Sequence, residues 1–249
     1  MISEFPLFFF TTCGGLSAGL YIASAAFPPK EESKRPWLIP LICFALLGIG
    51  LLGVLFHLGR PERFIFGLRN PQAGIAQEGY CAIVLMVLYF AHLVLAWRKK
   101  SAPRALCIVG ALVALLLTFI MGFAYVNQTG MLAWAMWATV PLFVVGDVAV
   151  GLALWGLFDD KAYERVAYLA TSVVAEALFF ATLFVEATHF SSLGYDAMPF
   201  YAAAVVGPVL AIAGTIVCRA KNSLALRVAV FVLALAGMIV ARYCFYSVG

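Results

Sequence analysis

One short segment of the chain gathers the residue types that proton chemistry needs. It reads His57-Leu-Gly-Arg60-Pro-Glu-Arg63, and it is followed by Arg69 and then by Glu78. A histidine near its ordinary pKa exchanges a proton at neutral pH, and a carboxyl group partly removed from water does so too. His57 and Glu78 therefore suit the oxidation of a hydroquinone, which loses protons as it gives up electrons. In the alternative, Glu78 only caps a helix N-terminus and His57 only binds a loop carbonyl.

Further polar residues lie at the ends of later apolar stretches. Glu186 and His189 close one such stretch, and Arg242 and Tyr246 close the last. As parts of membrane helices, these residues gather with Glu78 at one rim of a bundle, and ionisable groups at a membrane edge indicate a functional site. Arg242 then either contributes to this site or only neutralises Glu78 or Glu186.

Two carboxyl residues fall deeper, each near the middle of its apolar stretch. They are Asp147 and Glu176, in consecutive stretches, so a tight turn between the two helices brings them to one depth. A charge at the membrane centre costs about 2.5–3.5 kcal/mol, and we expect at least one of the two to be protonated. Either they share a proton in a proton-moving step, or each is a neutral carboxyl group bonded to a neighbouring helix.

The elements that position these residues must be membrane helices. Hydrophobic types make up 65% of the 249 residues and charged types 11%, whereas soluble domains have about 25% charged residues. Lipid offers no partner to backbone amides, so spanning segments form helices. Eight runs are long enough to span a bilayer: 5–27, 38–57, 75–97, 103–125, 133–158, 163–188, 199–218 and 224–246. We predict an all-α membrane protein in which residues 1–249 form one integral membrane domain, a bundle of eight transmembrane helices.

The distribution of positive charge predicts how this bundle is oriented. Twelve of the 16 Lys and Arg residues flank the loops after the first, third, fifth and seventh runs. The positive-inside rule places that face in the cytoplasm and both termini on the outer, periplasmic side. We therefore expect a multi-pass protein of a bacterial or archaeal cell membrane. The basic residues lie in short clusters between apolar runs, which does not favour nucleic-acid binding.

The longest loop, residues 58–74, carries three of the four basic residues on the outer face. They are Arg60, Arg63 and Arg69, and orientation alone selects against them at this place. We predict that they dock a partner protein through its carboxylates. Contact with lipid headgroups is the alternative.

The sequence offers few ligands for a resident redox centre. No two of the six cysteines have C-x-x-C spacing, which disfavours an iron–sulfur cluster and zinc. A membrane haem needs two axial histidines. His57 and His189 lie on one side and leave that geometry open, while His92 has no partner at its level. We predict no haem, no iron–sulfur cluster and no metal site in this chain.

Three stretches resemble the membrane anchor subunit of bacterial dimethyl sulfoxide reductase, and the resemblance spans nearly the whole chain. They are His57-Leu-Gly-x-Pro-x-Arg63 followed by Glu78, then Glu186-Ala-Thr-His189-Phe-Ser-Ser, and finally Arg242 with Phe245-Tyr246. The resemblance implies an anchor that binds menaquinol from the quinone pool and serves anaerobic respiration. It also implies two partners, a ferredoxin-like iron–sulfur subunit that takes the electrons and a molybdopterin catalytic subunit that it feeds.

The resemblance also assigns residues to the quinol site. The histidine and glutamate of the family's site match His57 and Glu78, which we expect to accept the protons of menaquinol. A supporting set is expected to orient these groups or the quinol: Arg63, Glu186, His189, Arg242 and Tyr246.

Three other functions stay open at this stage, and the first is a cytochrome that holds a haem between two histidines, for which His57 and His189 are the possible pair. The chain could anchor a related molybdenum enzyme, such as a polysulfide, thiosulfate or selenate reductase, because the catalytic subunit selects the terminal substrate. From a different class, it could be a proton-coupled transporter that uses Asp147 and Glu176, which match no residue of the anchor family.

Overall fold

Apolar runs become helices throughout the part of the chain that the computed structural model describes. That part comprises residues 4–28, 35–57, 64–128 and 130–248, with the backbone alone described at 56–57 and 64–65. The helices are α1 (Phe5–Ala26), α2 (Leu38–His57), α3 (Phe64–Gly67), α4 (Gly74–Lys99), α5 (Arg104–Val126), α6 (Thr139–Phe158), α7 (Val166–Ser192), α8 (Met198–Ala204), α9 (Leu210–Ala220) and α10 (Leu224–Tyr246). The described residues contain no strand.

Within these residues, eight helical segments are long and apolar enough to cross a membrane, which confirms the predicted all-α, eight-span architecture. Seven spans are single helices. The remaining one is built from α8 and α9, which a π-helical turn at Val205–Val209 joins. Pro208 lies in that turn and has no N–H for a helical hydrogen bond. The run predicted at 199–218 is therefore one continuous span, Met198–Ala220, with a π-helical turn inside it.

The spans alternate in direction, so their ends form two groups. At one end, the Phe8 and Tyr246 rings lie 6.4 Å apart, which brings the start of α1 to the end of α10. This group also includes the end of α2, and we call it the His57 end. At the other, the Trp37 and Trp97 rings lie 5.2 Å apart. That group carries the basic loops, and we call it the basic end. The start of α1 and the end of α10 thus lie at the same end of the bundle.

Close helix contact at the centre of the bundle depends on glycine. A Cβ atom on Gly19 of α1 would collide with the backbone oxygen of Asp147 in α6, and one on Gly151 would collide with the backbone of Gly19. Small residues allow such approach in membranes, where packing rather than water drives association. Contact at this crossing fixes α1 against α6, the most buried of the described spans.

Candidate functional site

Glu78 lies in the second turn of α4, at the His57 end, and only 7% of its surface is exposed. It borders a narrow crevice between α1, α2 and α4. The other lining residues are Leu7, Phe10, Leu51, Val54, Ile75 and Gly79. Glu78 is thus the ionisable group among the described residues of an otherwise apolar crevice, whose cavity volume is about 20 Å³. This space holds about one water molecule.

His57 is the last residue of α2, one turn beyond Val54. Because Val54 lines the crevice, the end of α2 approaches Glu78, as the spacing of the two residues predicts. The His57 side chain and the arginines Arg60 and Arg63 lie outside the described residues. Their roles stay predictions.

Hydroxyl groups from three other helices lie close to Glu78. The Tyr246 and Tyr125 hydroxyl oxygens are 2.7 Å apart, and the Tyr246 hydroxyl is 3.3 Å from Thr11 Oγ1. Glu78 lies within electrostatic range of both tyrosines. The sequence indicated Tyr246 but missed Tyr125 and Thr11, which are ordinary residues within apolar helices and carry no local signal.

Arg242 pairs with Asp147 rather than with Glu78 or Glu186. Its Nη2 donates to Asp147 Oδ1, and its Nη1 donates to the backbone oxygen of Thr11. Its guanidinium carbon also lies 4.8 Å from the centre of the Phe143 ring. Gly15 leaves the space for this pair, because a Cβ there would collide with the Asp147 carboxylate. The buried pair links α1, α6 and α10 just inside the His57 end.

Glu186 belongs to a separate group at the same end. Its Oε1 accepts a hydrogen bond from the Thr139 hydroxyl at 3.1 Å. His189, one turn further along α7, lies at the surface with Nε2 3.0 Å from the backbone oxygen of Leu132. In the described part of the chain, no hydrogen bond or ion pair joins Glu186 or His189 to Glu78. The predicted rim therefore consists of two groups at one depth.

Glu176 of α7 is buried at 3% exposure. Gly146 of α6 lies against the Phe179 ring of α7, so Asp147 and Glu176 are at similar depth. Within the described residues, however, no hydrogen bond joins the two carboxyl groups. Asp147 has Arg242 as its partner instead, and the structure does not bring the predicted carboxyl pair together.

Arg69 lies at the surface in the long loop, next to α3. Its guanidinium carbon is 4.8 Å from the centre of the Phe66 ring. His92 lies in the basic half, with Nδ1 2.8 Å from the Tyr21 hydroxyl. Among the residues that the structure describes, no three His, Cys, Asp or Glu side chains form a group that could hold a metal ion.

Comparison with known proteins gives two findings. Residues 1–248 match the sequence model of the family described as DMSO reductase anchor subunit (DmsC). The chain is also 31% identical over 131 residues to a sulfite dehydrogenase subunit of Allochromatium vinosum. That alignment covers 49% of this chain and 40% of the relative, so it spans less than half the length of either.

Proposed function

The chain belongs to the DMSO reductase anchor subunit family, and from that premise we propose that it oxidises menaquinol at the Glu78 crevice. As a member of this family, it is a multi-pass membrane protein and the anchor of a molybdoenzyme complex. The finer proposal is supported by one observation above all. A buried carboxyl group, that of Glu78, borders an apolar crevice at the end of the bundle where α2 ends at His57.

The chemistry of this site follows from the balance of quinol oxidation. Each quinol yields one quinone, two protons and two electrons. Glu78 accepts one proton and His57 the other, directly or through water, and both groups release protons at the nearby His57 end. The hydroxyl groups of Tyr125 and Tyr246 lie within electrostatic range of Glu78, and their hydrogen bond to each other holds them beside the crevice.

The quinol ring needs more room than the crevice offers. The described space of about 20 Å³ holds a water molecule but not a ring, so the apolar side chains of α1 and α2 must move apart.

The electrons leave to a partner subunit at the same end. We propose that the loop of residues 58–74 docks a ferredoxin-like iron–sulfur subunit, with Arg60, Arg63 and Arg69 contacting its carboxylates. That subunit passes the electrons to a molybdopterin catalytic subunit. By the positive-inside rule, this end is the outer face of the membrane.

A fluorescent quinol-site inhibitor titrated into membranes that carry the chain tests this proposal. We expect saturable quenching with the native sequence and its loss in Glu78→Gln and His57→Ala. Glu164→Gln, an exposed carboxyl residue at the basic end, is the matched control and should quench normally. Unchanged quenching and an unchanged rate of quinol oxidation in Glu78→Gln would refute the role of Glu78.

The relative named as part of a sulfite dehydrogenase favours a second candidate function. A site that takes protons from a quinol also gives protons to a quinone when electrons arrive from the partner. In that case the complex reduces quinone rather than oxidising quinol. Membranes that carry the whole complex distinguish the two directions. If the complex reduces quinone, added sulfite reduces the quinone pool. If it oxidises quinol, added quinol reduces dimethyl sulfoxide. An anchor of a polysulfide, thiosulfate or selenate reductase would also oxidise quinol, but the terminal electron acceptor would be polysulfide, thiosulfate or selenate instead of dimethyl sulfoxide.

A further inference from the structure

Buried polar atoms without a partner are concentrated in one half of the bundle. Among the described residues, eight buried side-chain nitrogen and oxygen atoms have no hydrogen-bond partner. Six of them belong to residues between the middle of the bundle and the basic end: Trp155, Tyr163, Arg165, Ser172, Glu176 and Arg227. Buried polar groups in native proteins nearly always have a partner, either protein or water. The unpartnered polar groups of the described interior are therefore concentrated in this half of the bundle.

Three of the polar residues in this half form a line along α7. Tyr168, Ser172 and Glu176 are each four residues apart, so they share one helix face, and all three are buried. Glu176 is the eleventh residue of α7, about 15 Å along the helix from its start at the basic end. Glu176 Oε2 has no described hydrogen-bond partner, and the Tyr168 hydroxyl lies beside Ser172 and donates to the Leu152 backbone oxygen at 2.6 Å. The line thus runs from the basic end to the middle of the bundle.

Tyr163 connects this line to the surface at the basic end. It lies in the short turn between α6 and α7, with its ring centre 5.3 Å from that of Tyr168. Burial raises the pKa of the Tyr163 phenol well above its ordinary value, so the group keeps its proton. The Glu176 carboxyl group lies within electrostatic range of this phenol. The next residue, Glu164, is exposed to solvent.

The groups that face the line come from four elements. They are Tyr163 in the turn, Tyr168 on α7 itself, Cys218 on α9 and Arg227 on α10. Arg227 is the cation among them, and its Nη1 donates to the backbone oxygen of Gly156 at 3.4 Å. Arg227 and Glu176 both lie within electrostatic range of the Tyr163 phenol.

Apolar side chains follow Glu176 on the buried face of α7, between Glu176 and the His57 end. Beyond Glu176, the buried face of α7 continues with Phe179 and Leu183. The Phe179 ring packs against Gly146, where even a Cβ atom would be too close at 2.9 Å. Glu186, the next buried carboxyl group, lies beyond this apolar segment.

We propose that Glu176 is a proton-binding site that exchanges protons with water at the basic end, through Ser172, Tyr168 and Tyr163. The step is an acid–base exchange, in which the carboxylate and a hydronium ion give a carboxylic acid and water. It needs no electron transfer, and it does not depend on the quinol site. The apolar segment at Phe179 isolates Glu176 from the His57 end, so its occupancy follows the pH on the basic side alone.

Infrared difference spectroscopy of the full chain in vesicles tests this proposal. Lowering the pH on the basic side should raise a protonated-carboxyl C=O band that Glu176→Gln removes and Glu186→Gln retains. A label on Ser101→Cys, exposed at the basic end, reports which vesicle face carries that end. Lowering the pH on the opposite side should leave the band unchanged. A band that follows the opposite side, or the absence of any band that Glu176→Gln removes, overturns the proposal.

Exchange of the same band in heavy water tests the route and needs no carboxyl variant. Transfer of the vesicles into heavy water should shift the native band, and Ser172→Ala and Tyr163→Phe should each slow that shift about tenfold, equivalent to about 1.4 kcal/mol in the barrier. Glu164→Gln is the control and should not slow it. An unchanged rate in both variants overturns the route. Inhibitor quenching at the Glu78 crevice is measured separately, so failure of either proposal is distinguishable from failure of the other.

Discussion

Breaking the buried pair of Arg242 and Asp147 should destabilise the bundle in a strongly asymmetric way. An Asp147→Asn variant leaves a guanidinium that cannot lose its proton inside the bundle without its counter-ion. An Arg242→Met variant leaves a carboxylate that can take up a proton and become neutral. The two variants differ because the Asp147 carboxylate can become neutral by taking up a proton, whereas the Arg242 guanidinium keeps its positive charge.

The contacts of each partner set the expected magnitudes. Removing one member of a buried pair costs about 3–5 kcal/mol, and we expect Asp147→Asn to fall in this range. Arg242→Met loses the bond to the Thr11 carbonyl and the contact with the Phe143 ring, so we expect it to cost about 2–3 kcal/mol. The Arg242→Met variant leaves no unpaired charge inside the bundle, because the Asp147 carboxylate can take up a proton. The double variant removes both charges, so it should be less destabilised than the sum of the single variants by about 2 kcal/mol or more.

Thermal unfolding of the four forms in lipid nanodiscs measures this coupling. Glu164→Gln, an exposed substitution, should change the free energy of unfolding by less than about 0.5 kcal/mol and serves as the control. If the change in the free energy of unfolding of the double variant equals the sum of the changes in the two single variants, the pair contributes no coupling energy. That result would refute the link between α6 and α10 that we infer.

Three further predictions concern packing, orientation and the site at the His57 end. Gly19→Ala should destabilise the bundle by about 3 kcal/mol, because its Cβ would collide with α6 backbone, whereas Gly67→Ala, with nothing within 4 Å, should have little effect in the same unfolding assay. An impermeant thiol reagent should label Ser101→Cys from the cytoplasmic side only, and labelling from outside would reverse the orientation. Trp134→Phe should lower the free energy of unfolding by about 1 kcal/mol, since Trp134 Nε1 donates to the Phe245 carbonyl at 2.7 Å; no change would mean that water replaces this bond.

The sequence by itself determined the number and the approximate limits of the spans. Hydropathy is a local property of the sequence. A long apolar run in lipid must form a helix, because its backbone N–H and C=O groups find hydrogen-bond partners only within the run. Seven of the predicted runs became single helices with ends shifted by a few residues. The largest shift is at 133–158, where α6 begins only at Thr139. The ends of α2 and α4 also followed from sequence, and they place Glu78 and the end of α2 at one level.

The tertiary structure alone decided which polar groups meet. Arg242 and Asp147 are 95 residues apart in the chain, and Tyr163 and Arg227 come from a turn and a later helix. Runs that are apolar on every side do not show which face of a helix is turned inward, so depth is readable from sequence and rotation is not. Packing set the rotation, through glycine contacts such as that of Gly19 with α6. That is why the sequence could place Asp147 and Glu176 at one depth, yet only the folded bundle could give them different surroundings.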